Sequence, residues 1–147
     1  MTNPWRHIDV EARGSLRCVR LRHLRFEEKQ IEELRRVEGV KVLMPAGTFY
    51  AFPDVSAICR RLGIQSHGLA MYLLEGADEK RGVACLGGEC FGPAGQGFLR
   101  FSCAEPDERL RAAVAFLAEA VTRRDRVERY LEANQHYRLT PSAAGPR

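Results

Sequence analysis

At 147 residues and 16.6 kDa the chain has the length of one ordinary domain, enough to bury a core without help from disulfides or metal. Its 45% hydrophobic and 29% charged residues exclude a collagenous or wholly disordered chain, and no apolar run nears the ~20 residues that span a bilayer. The net charge of +4 is unevenly placed: residues 1–25 carry +4, residues 26–122 carry −3 and residues 123–147 carry +3. A nucleic-acid module gathers its basic residues on the folded part, so this pattern predicts solvated flanks and no nucleic-acid partner.

Residues 1–25 show no clean period and read as an arginine-rich leader. From Phe26 onward Ile31, Leu34 and Val37 recur at helical spacing, with acidic residues at the start and arginines at the end, and Gly39 stops the helix. Residues 40–44 read as a short strand, and Pro45, Ala46 and Gly47 as a turn. Residues 48–52 read as a second strand rich in aromatic side chains. Ser56 is placed to cap a helix over residues 57–62, and another helix is expected over about residues 66–75. Residues 82–86 form a third expected strand, followed by a glycine-rich stretch over residues 87–97. Residues 98–103 form the fourth. Alternation there puts Leu99, Phe101 and Cys103 on one face and Phe98, Arg100 and Ser102 on the other. Pro106 opens a helix with Asp107 and Glu108 in its first turn, and Leu110, Val114, Leu117 and Val121 mark its buried stripe. Residues 125–134 extend that helix, and residues 140–147 form a frayed tail. The order predicts an α+β fold, a small mixed or antiparallel sheet of about four strands covered by helices.

The cysteines at 18, 59, 85, 90 and 103 are odd in number and lack zinc or disulfide spacing, which reads as free thiols and a cytoplasmic location. Cys90 has no histidine nearby in sequence to activate it as a nucleophile. The glycine-rich stretch joins strand to strand and lacks the phosphate-loop pattern, so it reads as a flexible connection beside a cleft. Tyr50 and Phe52 read as core. Arg100 has two readings. It can belong to a half-solvated face with Phe98 and Ser102, or it can be an anion clamp whose planar N–H pair matches a carboxylate.

Three segments together resemble a family. Residues 45–53 (PAGTFYAFP), residues 82–92 (GVACLGGECFG) and residues 98–102 (FLRFS) are similar, in that order, to motifs of the class I/II aminotransferases, pyridoxal-phosphate enzymes of fold type I. The resemblance covers residues 26–122 and corresponds to the family's C-terminal small domain, itself α+β. It implies that Arg100 binds the substrate's α-carboxylate, with pyridoxal phosphate holding the amino group. It also implies an amino-acid or 2-oxo-acid substrate, bound only when a large domain is supplied.

The departures from the family matter more than the matches. None of Lys29, Lys41 and Lys80 has the context of the family's Schiff-base lysine, and the main groups that bind the cofactor are not among the aligned residues. Gly87 replaces a proline and Glu89 a small residue, changes expected to loosen the loop and add charge near the cleft. The chain is therefore expected to be a fragment or remnant, inactive alone. The alternative is a standalone interaction or regulatory module that self-associates or binds a partner chain through the face its large domain would cover.

Overall fold

A computed structural model describes residues 28–46, 49–102 and 104–140. The leader expected over residues 1–25 and most of the expected tail lie outside the described residues. Helix α1 (Glu28–Arg36) begins with an acid and ends with two arginines, and buries Gln30, Ile31 and Leu34. Gly39 follows with φ of 87°, a left-handed conformation that turns the chain away.

Strand β1 (Tyr50–Ala51) leads into helix α2 (Ser56–Leu62). Its start differs from expectation: Ser56 is the first helical residue and not the cap, and the Asp54 carboxylate accepts its N–H at 2.8 Å. Gly63, with φ of 66°, closes the helix. Helix α3 (Ser66–Met71) widens into a π-turn over Tyr72–Gly76. The widening has a visible partner: the Leu73 carbonyl accepts the N–H of Val83, outside the helix, at 2.9 Å.

Strand β2 (Leu86–Gly87) is followed by two 3-10 turns, Gly88–Phe91 and Pro93–Gly95, and by strand β3 (Leu99–Ser102). The sheet of these described residues is antiparallel in the order β1-β3-β2, with Tyr50 opposite Ser102 and Leu86 opposite Arg100. Three strands stand where about four were expected. Of the strand expected over residues 40–44 only a single bridge remains, between Lys41 and Asp54. Its carbonyl at Val42 is taken by the Arg35 side chain at 3.0 Å, which leaves no ladder to continue.

Helix α4 (Asp107–Ala120) starts after Pro106 as expected. The extension expected beyond it is instead a separate helix, α5 (Arg124–Ala133), which folds back and buries Val127 and Leu131. The break comes at Thr122 and Arg123. The Thr122 hydroxyl donates to the Glu119 carbonyl at 2.7 Å, and Arg123 donates to the Ala77 carbonyl at 3.2 Å. Arg126 likewise donates to the Gly76 carbonyl at 2.8 Å, so α5 satisfies carbonyls left free at the end of the π-turn. One core, from Ile31 and Leu34 through Ile58, Leu69 and Leu99 to Leu117 and Leu131, joins the five helices to β1 and β3. The described chain is thus α+β, with helices covering one face of a small antiparallel sheet.

Candidate functional site

β3 is the middle strand, and its alternation divides two tasks. Leu99 points into the core and is fully buried, with Phe101 half-buried beside it. Arg100 stands on the other face, half-buried. Its guanidinium carbon lies 4.3 Å from the centroid of the Tyr50 ring and 4.5 Å from that of Phe91. Among the described residues no carboxylate lies within ion-pair distance of it, whereas Arg81, Arg109, Arg123, Arg129 and Arg138 each have one. A ring against a guanidinium face holds the cation by its quadrupole and leaves the N–H edges directed outward.

The wall around Arg100 is aromatic. Phe52 stacks on Phe98 with centroids 5.2 Å apart and meets Phe91 edge-on at 6.1 Å. Tyr50 and Phe52, read from sequence as core, instead flank this face: Tyr50 is half-buried and Phe52 is exposed. They share the outer side of the sheet with Arg100 because the antiparallel register sets Tyr50 opposite Ser102, two residues from Arg100. Sequence reasoning also missed Phe91, which arrives from the glycine-rich stretch and not from a strand.

That stretch is not the loosened connection expected. Glu89 Oε1 accepts the Ser66 hydroxyl at 2.5 Å and the His67 N–H at 3.3 Å, while Ser66 Oγ accepts the Gly97 N–H at 2.8 Å. The glycines permit this closeness: a Cβ on Gly87 would sit 2.5 Å from His67 Cα, and one on Gly88 would sit 2.0 Å from the Gly95 carbonyl oxygen. Glu89 and Gly87, the two departures, therefore tighten the loop instead of loosening it.

Other candidates fall away from this face. Cys59 is buried, and burial with the nearby Glu89 and Asp54 carboxylates pushes its thiol up to about 12. Burial pushes the Cys85 thiol up to about 12 as well. Cys90 is exposed. Among the described residues no three metal-ligating side chains cluster, and no helix is long and apolar enough to cross a membrane. A cavity of about 430 Å³ lies on the core side, between α1, α4 and the sheet, lined by Leu34, Val83, Phe101, Leu110 and Val114; Arg100 does not line it.

No family model matches the chain. A probable aspartate/prephenate aminotransferase of Aquifex aeolicus is 38% identical over 97 residues, 66% of this chain and 23% of that protein. An aspartate aminotransferase of Pyrococcus horikoshii is 33% identical over 91 residues, 62% of this chain and 21% of that protein. The solved structure of an aromatic aminotransferase from Pyrococcus horikoshii aligns with a TM-score of 0.55 at 28% identity, over 67% of this chain and 24% of that one. The chain resembles the aminotransferases. It spans less than a quarter of the length of these curated relatives, a share that fits an aminotransferase C-terminal small domain. The α+β architecture described above agrees with the likeness to the aromatic aminotransferase structure.

Proposed function

We propose that the chain supplies the carboxylate-binding part of an aminotransferase, with Arg100 as the residue that grips the α-carboxylate of an amino acid or 2-oxo acid. The observation that carries this reading is the state of Arg100: a cation fixed on the central strand, flanked by two rings, with no acidic partner among the described residues. A carboxylate approaching the free N–H edge can take two parallel hydrogen bonds, a geometry a point charge does not offer. The aromatic wall keeps water from the guanidinium faces and so strengthens that contact. Holding the carboxylate fixes the substrate's Cα relative to whatever group acts on it.

Pyridoxal phosphate is the cofactor the resemblance implies. When bound to an amino acid it acts as an electron sink at Cα. Lys29, Lys41 and Lys80 are all exposed, and none lines the cavity behind the sheet. On this reading the cofactor's lysine and phosphate partners are supplied by a large domain, and the chain does not transaminate by itself. Incubating the 147-residue chain with pyridoxal phosphate and then borohydride checks this. The expected result is scattered, substoichiometric reduction. A single stoichiometric adduct on one lysine overturns it.

A second reading has its own support. Leu43, Met44, Phe49, Phe52, Leu86 and Phe91 are all exposed, Leu43 at 86%. Large apolar side chains left exposed suit surfaces that another domain or chain covers, so the chain also fits an interaction module.

A further inference from the structure

We propose that Glu89 is a positioning residue for Arg100: by tying the Gly88–Phe91 turn to the start of α3, it seats Phe91 against the guanidinium. This rests on reading Arg100 as a carboxylate grip. The chain of contacts is continuous. The Gly97 N–H donates to Ser66 Oγ, the Ser66 hydroxyl donates to Glu89 Oε1, and the His67 N–H donates to the same oxygen. Gly97 lies at the entry to β3 and Glu89 lies in the turn, so one acid and one hydroxyl clasp both ends of the glycine-rich stretch to a helix that belongs to the core.

Phe91 sits two residues beyond Glu89. Its side chain is 51% exposed, so burial alone does not hold the ring in place. The backbone bonds of the stretch, such as the Gly88 N–H to the Phe98 carbonyl at 2.8 Å and the Gly92 N–H to the Glu89 carbonyl at 3.1 Å, shape the turn from within, whereas Glu89 ties it to α3. Glu89 Oε2 is buried without a hydrogen-bond partner among the described residues, an arrangement that opposes stability. What the acid contributes is the tie through Oε1. Released from it, the turn can carry Phe91 away, and the guanidinium loses one of its two flanking rings and the restriction that goes with it.

The test uses the full chain, with Glu89→Ala, Glu89→Gln and Ser66→Ala variants, followed by NMR of the Arg100 Nε–Hε group during titration with sodium acetate against sodium chloride at constant ionic strength. In the wild type, ring currents from Tyr50 and Phe91 displace the Arg100 signal upfield, and acetate shifts it further. Glu89→Ala is expected to move the free-state signal toward its ordinary position and to weaken acetate binding about tenfold, as the guanidinium loses one of its flanking rings. Glu89→Gln keeps the Oε1 acceptor and should retain both. Ser66→Ala, which leaves the acid in place, should lie between. A Glu89→Ala protein that is folded by circular dichroism and retains both the displaced signal and wild-type acetate binding overturns the proposal while leaving the carboxylate reading intact. If instead acetate never shifts the wild-type signal but Glu89→Ala still abolishes its ring-current displacement, the carboxylate reading fails and the positioning role stands.

Discussion

Arg100→Lys keeps the charge at the centre of the sheet and removes the planar fork. If the N–H pair is what holds a carboxylate, lysine should bind acetate about tenfold more weakly at unchanged thermal stability, since the outer face of β3 carries little of the core. Isothermal titration and a melting curve separate the two quantities; equal binding by lysine would reduce Arg100 to a surface charge. Arg100 was legible in the sequence because a cation is conspicuous within an apolar strand. Its surroundings were not. Phe91 lies nine positions away and reaches the guanidinium only because a glycine-rich stretch folds back, and Glu89 became interpretable only once Ser66 and His67 were found beside it. Hydrogen-bond partners separated by 22 or 23 residues leave no periodic trace in a sequence.

Among the elements, the amphipathic helices were the most legible, because their stripes alone decide which face is buried: α1 and α4 run where Ile31, Leu34, Leu110 and Leu117 placed them. The strands were less so. The one expected over residues 82–86 pairs only at Leu86 and Gly87, because Val83 gives its N–H to the π-turn and not to a neighbouring strand. The turn from α4 to α5 was also hidden. Nothing in Thr122 or Arg123 breaks a helix by propensity; the break is held by arginine bonds to carbonyls about fifty residues earlier in the chain. Helix α5 is an integral part of the core, so Leu131→Ala, at a fully buried position, should destabilise the chain by about 2–4 kcal/mol in urea unfolding. A loss below about 0.5 kcal/mol, the range of surface substitutions, would mean that α5 is an ornament on the core.

At the scale of the whole molecule, the described residues form one continuous core and leave several large apolar side chains exposed, Leu43 and Met44 among them. If another domain or chain covers these side chains, the isolated chain should associate with itself as concentration rises, and Leu43→Ser with Met44→Ser should shift it toward monomer in sedimentation velocity. A strict monomer across the same concentrations would speak against the second reading. Inner and outer surfaces meet in the four residues of β3, where neighbouring positions answer to different constraints. Exchanges at Leu99 disturb what keeps the protein folded, while exchanges at Arg100 alter what it can recognise. A lineage bearing this strand can therefore drift in ligand preference through single changes on one side without first acquiring compensating changes in its interior.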